Sequence, residues 1–476
     1  MKNSRALVVL AVGALDFGLE QAIVAPALPA IQRHYHTSIS STAWLLTGFL
    51  IAAAVVTPLA GRLGDNFGRR RVLLASLGCF ALGSLVCALG GSIQALIIGR
   101  VAQGLGAGMA PLALALAREH IDRARVPTAV GLLVASASIG TVVGLLLAGP
   151  LVDHVGVAAI FWLLFAFAAV LALAVRLAVR ESSHRGEGAV DFAGAALLAG
   201  GLGCVMLAIS HGNQWAWGSP RTVALLAASG LLAIAFWVRE RIAAQPLIDP
   251  RVLATRSIWS ANLAMLALGF SLLISFTLVP LIGGYPKITG YGLGLSTTQI
   301  GLVLAPSGLA TIVGGLLGGR VIARTGARAQ ATVGGACAAI TYTLLAVLPW
   351  SATTLALAMI PLGFGVGLAL GAITDLVVLA SPPARTGATV ALNTVIRMAA
   401  AALGAQVAIA ILTSTHGRIP GLPTARGFTD AFVMAAIAAL VTIAAVLLTP
   451  ARADDPAVTS SGLELASAYT PREQHT

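Results

Sequence analysis

Asp16 and Glu20 stand four residues apart in a stretch made otherwise of leucine, valine, alanine, glycine and phenylalanine. On a helix that spacing puts both carboxyls on one face. A carboxyl in an apolar layer is costly to ionise, and two near neighbours resist ionising together. Such a pair suits proton exchange, one protonation state admitting a second molecule and the other releasing it. The plainer role is a hydrogen-bonding group between helices, or one that reaches an aqueous vestibule. Arg100 lies in another apolar stretch, followed by Gln103, Gly104, Gly106 and Gly108. An arginine there must pair or snorkel, and the glycines let a neighbouring helix approach closely. Arg397, one turn after Asn393, repeats the arrangement late in the chain, and Asp375 is a further acid near the end of an apolar run. Their plain roles are an arginine held by backbone carbonyls at a helix crossing and an interfacial aspartate.

The elements that would hold these groups are membrane helices. Of 476 residues 58% are hydrophobic and 10% charged, which is too little polar surface to cover a soluble enzyme. The 53 glycines have no period of three, which excludes collagen. Stretches of about 20 apolar residues cross a bilayer. Fourteen are predicted, at about 6–28, 43–61, 72–90, 95–116, 128–150, 157–178, 191–210, 222–238, 259–281, 299–318, 329–348, 353–376, 388–413 and 429–448. The span 222–238 is the shortest, yet losing it would put every later connection on the wrong side for charge. With the N-terminus inside, 22 of the 29 lysines and arginines fall on the cytoplasmic side and five outside. Both termini are therefore predicted to be cytoplasmic, in a multi-pass protein of the cytoplasmic membrane.

The net charge of +12 then reads as topology facing anionic lipid head groups, and no nucleic-acid partner is predicted. Met1–Arg5 followed by an apolar run resembles a signal peptide, but Asp16 and Glu20 interrupt it, so an uncleaved first helix is expected. Trp215 and Trp217 are placed at the outer interface. The tail 451–476 is polar and expected to be disordered. Four cysteines lie in apolar stretches and eight histidines mostly in loops, none at ligand spacing. No metal, cofactor or catalytic residue is expected, and no phosphate-binding loop of an ATPase is present.

The first inner connection reads Gly61-Arg62-Leu63-Gly64-Asp65-Asn66-Phe67-Gly68-Arg69-Arg70-Arg71. It resembles the signature loop between helices two and three of the major facilitator superfamily. A weaker copy, Gly319 to Arg328, has Ala323 in place of the acid, as an internal repeat predicts. Three further stretches resemble the fourteen-helix drug:proton antiporter family within it. They are Glu20 to Pro29 in the first helix, Arg100 to Gly104 in the fourth, and Gly131, Gly140, Gly144 and Gly149 in the fifth. In the last, Leu145 stands where that family has proline and Ala148 replaces a glycine, with Pro150 following; this weakens the pointer to antiport over symport. Pro246-Leu247-Ile248-Asp249 and Arg385-Thr386-Gly387 add to the likeness, which runs over nearly the whole chain.

The resemblance implies an all-α major facilitator fold. A six-helix bundle would occupy 1–180, two additional helices 181–257, a second six-helix bundle 258–450 and the tail 451–476. It implies proton coupling through Glu20, Asp16 and Arg100, with Gly61, Gly64, Asp65, Gly68, Arg69 and Arg70 forming a cytoplasmic gate. Gly140, Gly144, Gly149 and Pro150 would pack the fifth helix, and Gln103, Asp375, Asn393 and Arg397 are secondary candidates. The function implied is export of lipophilic small molecules, cations among them, by a monomer driven by the proton gradient. A proton-coupled carrier of one metabolite or lipid-like compound, for uptake or export, is the first alternative. A non-transporting sensor or scaffold is the second, disfavoured because it gains nothing from burying charges.

Overall fold

A computed structural model of the chain describes residues 2–121, 126–182, 190–243, 255–381, 386–415 and 422–450. The motif stretches Pro246–Asp249 and Arg385 and the tail 451–476 lie outside the described residues. Among the described residues every regular element is helical. The first bundle consists of α1 (Lys2–Ile23), α2 (Leu28–His34), α3 (Ile39–Phe67), α4 (Arg69–Leu89), α5 (Ile93–Leu105), α6 (Met109–His120), α7 (Val126–His154) and α8 (Ala158–Ala178). A hairpin of α9 (Phe192–Trp215) and α10 (Pro220–Ile242) follows. The second bundle consists of α11 (Arg256–Gly284), α12 (Thr297–Val347), α13 (Ala352–Ala380), α14 (Thr386–Ser414) and α15 (Ala425–Leu448).

Short polar residues set where the helices begin. Ser38, Ser92, Asp191, Ser219, Ser296, Ser351 and Thr424 each accept a hydrogen bond from the backbone N–H three residues on. The first span is shorter than its apolar run. Pro26 cannot donate to Ala22, so α1 stops at Ile23; the bonds Ala25 N–H to Ala22 and Ala27 N–H to Val24 tighten the chain into a turn before α2. The expected span 6–28 is thus corrected at its far end. α5 and α6 form one crossing, joined by a 3₁₀ turn over Gly106–Gly108.

Thirteen described helices are long and apolar enough to cross a bilayer, one fewer than the fourteen predicted spans. The difference lies in α12. Its 51 residues would reach about 75 Å if straight, more than twice the hydrocarbon thickness. Instead Gly326, at φ 82, breaks the helical path. A Cβ on Gly363 would strike Ser307, and one on Gly365 would lie 2.6 Å from the Gly334 carbonyl. Both limbs of α12 therefore press on one turn of α13, and α12 crosses twice. The fourteen predicted crossings stand.

The bundles meet along α7 against α12 and α3 against α14. α9 leans on α3 and α14, while α10 packs chiefly on α9 and leaves most of its surface to lipid. Asp191 pins the foot of the hairpin, accepting from the Arg239 Nε at 2.8 Å and from the Gly194 N–H.

Candidate transport site

The α1–α7 contact is built from glycine. A Cβ on Gly144 would stand 2.6 Å from the Leu19 carbonyl, and Gly18 and Gly140 are pressed still harder on Ala137 and Leu15. Asp16 and Glu20, on the helix packed in this way, are fully buried. All four of their carboxyl oxygens lack a hydrogen-bond partner among the described residues. Glu20 senses the charges of Arg100 and Asp16, so the three form one electrostatic group.

Arg100, also fully buried, is held on three sides. Its Nε donates to the Leu45 carbonyl at 2.8 Å, one terminal nitrogen donates to Gln103 Oε1 at 2.7 Å, and the guanidinium lies 4.5 Å over the Phe49 ring. Gln103 Nε2 donates onward to Ser84 Oγ at 2.7 Å. The plain role for Arg100, a cation held by a carbonyl at a helix crossing, is thus present together with its proximity to Glu20. Gly104 makes the crossing possible, since a side chain there would collide with Phe49 backbone and Ala52.

The Gly61–Arg71 segment, spanning the junction of α3 and α4, lies at one end of the first bundle. Arg69 donates to Asp65 Oδ1 from Nε at 3.0 Å and from a terminal nitrogen at 2.8 Å, and approaches Glu119 at 3.6 Å. Glu181 accepts the Arg70 backbone N–H at 3.0 Å and lies 3.7 Å from Arg71, a carboxylate set against the N-terminus of α4. Arg70 donates to the Arg176 carbonyl. Gly68 turns at φ 102, and a Cβ there would press on Glu181. Gly64 is packed against Leu112, whereas Gly61 faces open space and has no steric reason to be glycine. Glu119 and Glu181 carry only a faint cue in the sequence: acids are scarce, and these two flank connections rich in arginine.

The other end joins the bundles. Asp153, at the end of α7, accepts from the backbone N–H groups of Thr297 and Thr298 at 3.2 and 2.9 Å and from Thr298 Oγ1 at 2.7 Å. Arg33 donates to the Gly284 carbonyl at 3.0 Å, and Gln406 Nε2 donates to Thr47 Oγ1 at 2.9 Å. Gly149 abuts Thr298, and Gly301 abuts the Leu145 carbonyl. In the fifth-helix motif, then, Gly140 and Gly144 serve α1 while Gly149 serves the partner bundle. α7 continues as helix through the exposed Pro150 to His154. Of the secondary candidates, Asn393 donates to Asn262 Oδ1 at 3.0 Å, tying α14 to α11. Asp375 is exposed near the end of α13, and Arg397 is partly exposed in mid-span.

Residues 10–405 match the family model described as Major Facilitator Superfamily. The chain belongs to the major facilitator superfamily. The tetracenomycin C resistance and export protein of Streptomyces glaucescens is 30% identical over 427 residues, which is 87% of this chain and 76% of that protein. The multidrug resistance protein Stp of Mycobacterium tuberculosis (strain CDC 1551 / Oshkosh) is 30% identical over 421 residues, 86% of this chain and 75% of that one. In fold the chain is similar to a POT family transporter solved with a thioalcohol-conjugated peptide, with TM-score 0.68 at 12% identity over 94% of this chain and 96% of that one. The fold is the major facilitator fold with two additional helices between its bundles.

The superfamily's internal repeat is visible at atomic detail. Gly68 and Gly326 both take positive φ, and two residues later Arg70 and Arg328 each donate to a carbonyl at the end of their bundle's last helix, Arg176 and Leu447. The repeat fails where charge is concerned. Ala323 replaces Asp65, and the neutral cluster of Tyr342 bonded to Ser271 and Ser275 is what the second bundle buries in place of carboxyls.

Proposed function

We propose that this chain exports lipophilic small molecules from the cytoplasm in exchange for protons, by alternating access in the cytoplasmic membrane. The observation that carries the reading is the group of Asp16, Glu20 and Arg100: two fully buried, unpartnered carboxyls beside a buried guanidinium. A carboxylate with no partner in an apolar site is stable only with a proton or a cation beside it. In this reading Glu20 takes the incoming proton, Asp16 shares it, and Arg100 tunes the exchange. A scaffold would have no use for that desolvation cost. The relatives' names, a resistance and export protein and a multidrug resistance protein, support export of drug-like compounds.

The charge bias puts both termini and the Asp65–Arg69 loop inside, and the Asp153–Thr298 contact outside. The arrangement described above, joined at the outer end, is then the one that loads from the cytoplasm. Release outside requires the Asp153 contact to part, and the Asp65, Arg69 and Glu119 cluster is positioned to rearrange as the inner ends close. The protein works as a monomer in this scheme. The potential contributes about 2.3 kcal/mol per proton for each 100 mV.

The test uses inside-out vesicles with an imposed pH gradient and a panel of lipophilic substrates. Substrate-dependent collapse of the gradient, lost in Glu20→Gln, is the expected result. Collapse by one metabolite alone would favour the dedicated carrier, and no collapse with any compound would sink the reading.

A further inference from the structure

Arg397 is the charge that the proton-coupling group leaves unexplained. It lies midway along α14, which is enclosed on several sides. Val395, Met398 and Ala402 pack on Phe49, Leu50 and Ala53 of α3, with Leu198 and Leu202 of α9 behind them. On α11, a Cβ at Gly269 would lie 2.6 Å from the Arg397 carbonyl. α14 packs on α3 of the first bundle and on α11 and α15 of its own, and the Arg397 side chain it carries is partly exposed.

No hydrogen bond and no carboxylate within ion-pair distance engages its guanidinium among the described residues. Nor does the sequence offer one. Between residues 256 and 450 the only acids are Asp375, near the inner end of α13, and Asp430, which faces Arg426 at the start of α15. Asp16 and Glu20 are fully buried in the other bundle, where Glu20 senses Arg100 instead. Arg100, by contrast, has carbonyl, amide and ring partners. Five donors in a fixed fork, uncompensated inside a membrane, match a planar anionic oxygen group.

We propose that Arg397 is the substrate-recognising cation of the central cavity, and that the preferred cargo is a lipophilic compound bearing an acidic oxygen group such as a carboxylate or an ionised phenol. This rests on the export reading and narrows its substrate class, moving the preference from cations to anions. Loading such a compound brings one negative charge to one positive charge and leaves the carboxyls of the first bundle to the proton alone.

The test compares a lipophilic fluorescent carboxylate, its methyl ester and tetraphenylphosphonium, using the full chain in nanodiscs for binding and in vesicles for transport. The carboxylate should bind about tenfold more tightly than its ester, the scale of a charge-assisted contact. Arg397→Gln should abolish that preference while leaving ester binding unchanged, and Arg397→Lys should keep part of it. Unchanged ester binding also certifies that the variant is folded. Equal binding of carboxylate and ester by the parent protein, or a preference that survives in Arg397→Gln, overturns the inference. Transport of tetraphenylphosphonium but not of the carboxylate overturns it while leaving export intact. If none of the three is moved on a pH gradient, it is the export reading that falls.

Discussion

At the scale of single residues, the buried carboxyls and glycines make separable predictions. Glu20→Gln keeps shape and hydrogen-bonding capacity but cannot exchange a proton. It should lower proton-driven transport by about 100-fold, at the low end of what a positioned proton donor contributes, while substrate binding to the purified protein changes little. Asp16→Asn should cost less, because in the proposed exchange Glu20 takes the incoming proton and Asp16 only shares it. Flux in vesicles with and without a pH gradient separates the two. Gly140→Ala drives a methyl into the Leu15 backbone and should destabilise the folded chain by about 1–3 kcal/mol, read as a lower thermal midpoint with the same proton dependence. Asp16, Glu20 and Arg100 were legible from sequence because a charge amid leucine and valine has no casual explanation. Glu119 and Glu181 were not, because acids at helix ends are ordinary and only packing shows which arginine each one meets. Asp153 is equally silent in the sequence: its partners are backbone N–H groups of a helix 144 residues away, which no local pattern announces.

Helix ends carry the predictions at the scale of elements. Asp153 caps α12 from the opposite bundle, so Asp153→Ala should weaken the outer contact by about 1 kcal/mol, the usual worth of a helix cap, and shift the balance of states about fivefold towards outer opening. Spin labels at 36 and 290, in the outer connections of the two bundles, would report it as growth of the longer distance. Asp191 offers a pH test. Burial alone would lift its carboxyl, but the Gly194 N–H and the Arg239 guanidinium outweigh that and hold it below the ordinary 3.8. A carboxyl lowered by folding stabilises the fold fully above its unfolded value and loses that contribution as pH falls through the folded value. The stability gap between the parent chain and Asp191→Asn should therefore be full at neutral pH and shrink below pH 3.8. Apolar run length predicted the crossings well, because a bilayer demands it. It could not predict how chain direction changes at their ends: Pro26 halts α1 early, and Gly326, at non-helical φ, turns the second limb of α12 back on the first.

For the whole molecule, the repeat and its breakage are the informative pair. Backbone features recur in both halves, the positive-φ glycines and the arginines two residues after them, while buried acids occur in the first half and an unpaired arginine in the second. In the proposed mechanism the first bundle handles protons and the second cargo. Cysteines introduced at 66 and 325 should both be labelled by impermeant reagent from the cytoplasm and one at 290 only from outside; labelling of 66 and 325 from opposite sides would refute the topology. The bundles and their number were readable from hydropathy and loop charge, but which faces look at each other was not, since lipid-facing and cavity-facing leucines are the same residue. The hairpin of α9 and α10 has a consequence for how such a chain can be rearranged. It leaves the membrane on the side it entered, packs on the bundles chiefly through α9, whose Ser210 and Asn213 bond to Trp44 and to Ala410 and Thr413, and has its two helices tied together at the foot by Asp191 and Arg239. Parity makes it an indivisible cassette: excising both helices preserves the handedness of everything downstream, whereas excising one would insert the second bundle upside down, with the arginines of 320–328 on the wrong face. Any shorter or longer homologous carrier built on this plan should differ by pairs of crossings at this junction, and gene fusions should be tolerated there in the same even increments.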